Sequence, residues 1–135
     1  MDQRSGRRPE PDPELDLLAH RVVDAAVEVH RHLGPGYLES VHGAALAVEL
    51  RLRGIPFKVE HTFEIRYKGE VMGEGRVDFL VGDRLVVELK SVDRLAPVHK
   101  AQVISYLKAL GAQLALLINF NERLLKEGIQ RIVLS

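Results

Sequence analysis

Two short apolar runs, Arg76-Val-Asp-Phe-Leu-Val81 and Leu85-Val-Val-Glu-Leu-Lys90, are interrupted by three charged side chains: Asp78, Glu88 and Lys90. Placing a carboxylate or an ammonium inside a strand core is costly unless the charge is paired or bound to a metal. Two facing carboxylates can share a hard cation such as Mg²⁺ through oxygen ligands. A cation held there would polarise a scissile phosphate and lower the pKa of a bound water. A lysine beside it could orient that water or stabilise charge developing on the phosphate. The chemistry these residues suit is metal-assisted phosphodiester hydrolysis. A Glu-x-Lys pair by itself is also what an ordinary solvent-facing strand presents, so the case rests on more than that pair.

Glu88 and Lys90 are two apart and share one face of their strand. Asp78 joins them only if the hairpin pairs position 78 with 88. That requires an odd loop, such as Gly82-Asp83-Arg84, or a bulge; a two-residue Gly-Asp turn would send Asp78 to the opposite face. Downstream, Gln102 and Tyr106 are four apart on an expected helix and so share a face. An amide and a hydroxyl there could hold a phosphate or the nucleophilic water, although both also suit ordinary helix surface. Upstream, Glu39 and His42 are three apart on another helix. Glu39 could equally serve as a first-turn carboxylate favoured by the helix dipole, and His42 as either a phosphate contact or a polar surface residue.

The elements that must position these groups follow from periodicity. Leu15, Leu18, Val22, Ala25, Val29 and Leu33 form one helical stripe, stopped by Gly34-Pro-Gly36. A second helix spans about Leu38 to Arg53. Its expected buried face is Leu38, Val41, Ala45, Val48 and Leu52, with Gly54 as a left-handed cap. From Phe57 to Tyr67 the period becomes two, as in a half-buried strand, and Lys68-Gly-Glu70 turns the chain into the next strand pair. Pro97 opens a helix ending near Gly111. Leu114-Ala-Leu-Leu-Ile118 reads as a strand buried on both faces, and 128–134 as a final strand. The order α-α-β-β-β-α-β-β predicts an α/β fold, a mixed sheet with helices on both faces.

The chain has 135 residues, one domain's worth. Residues 1–13, rich in proline and arginine, are expected to be a disordered tail, leaving 14–135 as the domain. The absence of cysteine excludes disulfides, zinc-thiolate sites and thiol nucleophiles. With no membrane-length apolar run and no signal-peptide core near Met1, the expected location is the cytoplasm and no membrane partner is expected. Lys and Arg together number 19, as do Asp and Glu, so no global charge draws the chain to nucleic acid. Binding must come from a local patch or from metal ions bridging carboxylates to phosphate.

The ordered set Asp78, Glu88-x-Lys90 and Gln102-x3-Tyr106 resembles the PD-(D/E)xK nuclease superfamily, in particular its RecB-type branch with a Q-x3-Y helix. The wider chain is similar to the GxxExxY family of that superfamily. The resemblance runs through Gly34-Pro-Gly-Tyr-Leu-Glu39, Ala44-Ala-Leu46, Glu49-Leu50, Tyr67-Lys-Gly69, Arg76-Val-Asp78 and Leu117-Ile-Asn-Phe120. It implies a restriction-endonuclease-like mixed sheet with an αβββαβ core. It further implies Asp78, Glu88, the Leu89 carbonyl and Glu39 as ligands of Mg²⁺ or Mn²⁺, Lys90 as the catalytic lysine, and Gln102 and Tyr106 in support. Val77 replaces the proline of the motif, and His42 stands where the family's tyrosine is expected.

Arg76, His99 and Lys100, with Arg94 nearby, are candidates for a basic rim that contacts phosphates together with His42. A solvated helix start explains His99 and Lys100 equally well. His30 and His32 do not converge on one metal and read as compensation of a helix C-terminus. With 5% aromatic residues, extensive base stacking is not expected. The leading expectation is a metal-dependent nuclease acting on nucleic acid, DNA before RNA, with a homodimer among the expected partners. The alternative is a non-catalytic module of the same fold that binds nucleic acid or protein.

Overall fold

The computed structural model describes residues 11–134. Most of the tail expected at 1–13 therefore lies outside the described residues. Its last part is not tail-like: the Asp12 carboxylate accepts from the Leu15 amide at 2.8 Å, and Pro13 opens the first helix. Asp12 thus satisfies one of the orphan donors that every helix start leaves.

Helix α1 runs Pro13–Leu33 and α2 Glu39–Leu52. Strands β1 (Phe57–Tyr67), β2 (Glu70–Val81) and β3 (Leu85–Lys90) follow, then α3 (Pro97–Leu110), β4 (Leu114–Asn119), a 3₁₀ turn (Leu125–Gly128) and β5 (Ile129–Val133). The sheet order is β1-β2-β3-β4-β5; β3 and β4 are parallel and the other neighbours antiparallel. The expected α/β mixed sheet, with α3 as the crossover, is the fold observed.

The stops between elements are those the sequence offers. Gly34 ends α1 at φ 69°, and Gly54 follows α2 at φ 69°, where a side chain would be strained. Helices α1 and α2 cover one face of the sheet: Leu15, Val22, Val29, Leu46 and Leu50 pack on Phe79, Val87, Leu116 and Ile118. Helix α3 covers the other, where Val103 and Leu107 meet Val77, Leu80, Val86 and Leu117. All six residues of β4 are buried, with alternate side chains entering the two cores, as its continuous apolar run predicts. Among the described residues no helix is long and apolar enough to cross a membrane.

One expectation is reversed. Of the stripe Leu38, Val41, Ala45, Val48 and Leu52, only Ala45 packs against the core and the other four are exposed; His42, Leu46 and Leu50 are the buried positions. Helix α2 is apolar on both sides, so period alone left two registers open. The face that pairs with the α1 stripe and the Leu89 side of the sheet was the one buried.

Strands β1 and β2 extend well beyond the rest of the sheet. Strand β2 pairs with β1 along its whole length but with β3 only over Phe79–Val81. The outer ribbon closes at Lys68-Gly69, both with positive φ (50° and 84°), as a tight hairpin turn requires. The expected buried face of β1 is largely open: Val59, Ile65 and Tyr67 are exposed, and beyond Phe63 nothing packs behind the two-stranded ribbon.

Candidate active site

The register that decides the site is the one with a three-residue loop. Phe79 pairs with Val87, Leu80 with Val86 and Val81 with Leu85, leaving Gly82-Asp83-Arg84 as the turn. Gly82 and Asp83 both take φ 59°. The sum of paired positions places Asp78 opposite Glu88, on one face.

At that point side chains take over from the backbone ladder. The Asp78 amide donates to Glu88 Oε1 at 2.7 Å, and the Leu89 amide donates to Asp78 Oδ2 at 2.8 Å. Each carboxylate is thus clamped by the opposite strand through one oxygen, which leaves its second oxygen for another ligand. Burial pushes Glu88 up to about 7, with the Asp78 charge adding to the effect. Burial also raises Asp78, against the pull of the Leu89 amide, Lys90 and Arg76. Glu39, at the start of α2, is raised by burial and then by Asp78, so it shares the same field. Lys90, half-buried two residues after Glu88, lowers all three carboxylates.

Three carboxylates crowd one region beside a single half-buried lysine, and a cation fits that donor set. Among the described residues no three His or carboxylate side chains close into a ready-made metal cage. The Asp78–Glu88 pair suits instead an ion that takes one or two carboxylates and keeps several waters, as Mg²⁺ does.

Helix α3 supplies the far wall. Tyr106 packs edge-on against Phe63 with ring centroids 5.2 Å apart. Its hydroxyl is pushed up by burial and then by Glu88 and Asp78, which places it in their field. Gln102, one turn earlier, is exposed on the same helix. The Phe63 ring lies over Gly75, where an added Cβ would stand 2.3 Å from it. Gly75→Ala is therefore expected to displace Phe63, loosen Tyr106 and cost about 1–3 kcal/mol. Thermal melting and the ring shifts of Tyr106 by NMR check this; wild-type values for both would refute the packing role.

The expected basic rim is only partly assembled. Arg76 is exposed and pairs with Glu60 at 3.1 Å, yet lies close enough to lower Asp78. His99 Nδ1 accepts from the Ala96 amide at 2.9 Å, and the His99 amide returns to the Ala96 carbonyl at 3.0 Å. His99 thus caps α3 while its charge reaches Glu39. Lys100 is exposed.

His42 is a correction. It is fully buried, stacks on Phe120 at 4.5 Å and bonds the Gly34 carbonyl through Nε2 at 2.8 Å. It holds the Gly34–Leu38 loop rather than presenting a ring to phosphate, because α2 turns this face inward. His30 serves the same end of the fold, its Nε2 meeting the Glu122 carbonyl at 2.8 Å.

Sequence reasoning gave Asn119 no role of its own. It is fully buried and opposite Lys90 on β4. Its Oδ1 accepts from Val92 and Asn121, and its amide donates to the Val92 carbonyl at 2.8 Å. Ser91 Oγ donates to the Tyr37 carbonyl at 3.0 Å. The segment leaving Lys90 is therefore tied both to β4 and to the loop that carries Glu39. The signal was a lone amide closing the apolar run of β4. The site lies at the carboxyl ends of parallel strands β3 and β4, where open α/β sheets commonly bind ligands.

The sequence matches the family described as the PD-(D/E)XK nuclease superfamily over residues 16–132. No curated protein matches it. Among solved structures, SSO0001 is 23% identical with a TM-score of 0.49; the match covers 69% of this chain and 47% of that one, so this chain spans about half its length. An alkaline exonuclease from Laribacter hongkongensis (LHK-Exo) is 14% identical with a TM-score of 0.51, covering 95% of this chain and 73% of that one. At that identity the likeness is one of fold.

Proposed function

The chain belongs to the PD-(D/E)XK nuclease superfamily, and from that membership we propose that it is a divalent-metal-dependent nuclease hydrolysing phosphodiester bonds. The observation that carries the proposal is the facing pair Asp78 and Glu88, each with one oxygen held by a backbone amide and Lys90 on the same strand. Asp78 and Glu88 would hold Mg²⁺ or Mn²⁺, with Glu39 and the Leu89 carbonyl as further ligands. When bound, the cation supplies Lewis-acid polarisation of the phosphate and a more acidic water.

The chain's own groups do the rest. The Lys90 ammonium holds the attacking water or a non-bridging phosphate oxygen on the Glu88 side of the strand, where it meets charge that develops in the transition state. Tyr106 and Gln102 offer a hydroxyl and an amide from α3 to the same phosphate. Arg76, His99 and Lys100 flank the site as phosphate contacts. The Gln102-x3-Tyr106 helix supports the RecB-type branch, and the Gly34–Glu39 stretch the GxxExxY family. The partner we propose is nucleic acid, DNA before RNA, encountered in the cytoplasm.

The test is cleavage of labelled DNA and RNA, single- and double-stranded, with Mg²⁺ or Mn²⁺, comparing wild type with Glu88→Ala. Metal-dependent cutting that the variant lacks supports the proposal and names the substrate. If no substrate is cut and calorimetry finds no metal binding, the fold serves here as a non-catalytic binding module.

A further inference from the structure

We propose that His42 is a positioning residue for the metal site: by fixing the loop that leads into α2, it sets where Glu39 stands against Asp78 and Lys90. The inference rests on the metal-site reading above and goes beyond it, because His42 acts through another residue. Glu39 is the first residue of α2, and α2 starts without a side-chain cap. The loop before it, 34–38, holds two glycines at positive φ, Gly34 at 69° and Gly36 at 100°. Such a backbone has wide conformational freedom, and an uncapped helix start does little to restrict it. The Glu39 carboxylate needs another anchor.

His42 supplies it from one turn inside the helix. Its Nε2 donates to the Gly34 carbonyl at 2.8 Å, which fastens the start of the loop to the helix after it. Ring packing fixes the direction of that bond. The imidazole stacks on the Phe120 ring at 4.5 Å and 14°, and the Tyr37 ring meets it edge-on at 5.9 Å. Phe120 is itself registered to the active strand, since its amide donates to the Lys90 carbonyl at 3.0 Å. The Tyr37 carbonyl accepts from Ser91, the residue after Lys90, at 3.0 Å. One buried ring thus joins the Glu39 loop to the backbone that carries Lys90. Helix α2 packs directly on that strand: a Cβ at Gly43 would stand 3.6 Å from Leu89 Cδ1. Burial and then the Asp78 charge raise Glu39, while Lys90 lowers it, so these groups stand in one field.

The second ring nitrogen argues that stability is not the reason for this histidine. A carbonyl can only accept, so Nε2 carries the proton and Nδ1 is left as an acceptor. Nδ1 is buried and has no hydrogen-bond partner among the described residues. A phenylalanine in this place would exchange one unpaired acceptor, Nδ1, for another, the half-buried Gly34 carbonyl, and so should fold about as well. What phenylalanine could not do is hold Gly34. The bond to the loop is therefore what the imidazole adds, and the loop ends at Glu39.

The test is calorimetric titration of the full chain with Mn²⁺, with melting recorded beside it. His42→Phe keeps a ring on Phe120 and loses the donor. It should bind Mn²⁺ about tenfold more weakly and melt close to wild type. His42→Gln keeps a donor within reach of Gly34 and loses the ring. It should melt lower yet bind nearer to wild type. A residue with a merely structural role would make binding follow melting in both variants. The effect should also run through Glu39: in a Glu39→Gln background, His42→Phe should weaken binding little further. Wild-type affinity in His42→Phe, binding that tracks melting across the two variants, or an equal loss in the Glu39→Gln background would overturn the proposal. A wild type that binds no Mn²⁺ would overturn it together with the metal site itself, a result the wild-type titration alone tells apart from the others.

Discussion

Lys90→Ala is expected to lower the rate of phosphodiester cleavage by a factor of about 10²–10⁴, the range typical of removing a positioned proton-transfer or charge-stabilising group. Lys90 is half-buried at the end of β3, and its charge lowers Glu39, Asp78 and Glu88. The loss should fall on turnover rather than on folding, because the β3–β4 ladder and the Phe120 amide bond to the Lys90 carbonyl are made by backbone. Metal binding should persist in the variant, since both carboxylates remain. Single-turnover cleavage alongside calorimetric titration with Mn²⁺ separates the two effects. Cutting at the wild-type rate would remove Lys90 from the mechanism.

The second large effect is on the stability of the metal-free protein. Glu88 is raised from 4.5 to about 7, so the folded state favours its protonated form. That contribution is fully present below pH 4.5 and is lost as pH rises through about 7. The metal-free protein should therefore lose up to about 3 kcal/mol between those limits. Glu88→Gln keeps an oxygen to accept the Asp78 amide but removes the titration, so the difference between wild type and variant reports Glu88 together with its coupling to Asp78 and Glu39. Wild type should melt progressively lower than Glu88→Gln as pH rises from 4.5 to 8, and Mg²⁺ or Mn²⁺ should raise only the wild type strongly at the upper end. Parallel melting curves for the two proteins would show that Glu88 is not held as described.

How much of this was legible in the sequence differs between elements for physical reasons. The β2–β3 register was narrowed to two outcomes by period two, and the three-residue loop seen in the structure decides between them. The double burial of β4 followed from an uninterrupted apolar run. The face of α2 could not be read, because a helix with apolar residues on both sides carries no directional signal. His42 was misplaced with it, as a polar side chain among aliphatic ones suggests surface until Phe120 and the Gly34 carbonyl are seen to receive it. Asn119 escaped notice because its bonds are to backbone distant in sequence, which no spacing rule records.

The free edge of β1 has a consequence for how copies of this chain meet. A long edge strand offers unpaired amides and carbonyls to any similar strand and is a template for uncontrolled edge-to-edge growth. Here the template is spoiled twice. Glu60 takes φ 49° in the middle of the strand and breaks its straight run, and Lys58, Glu64 and Arg66 set charges of both signs along it. Continuous sheet growth through β1 is thereby disfavoured, so the exposed ribbon can project from the fold without becoming a template for stacking.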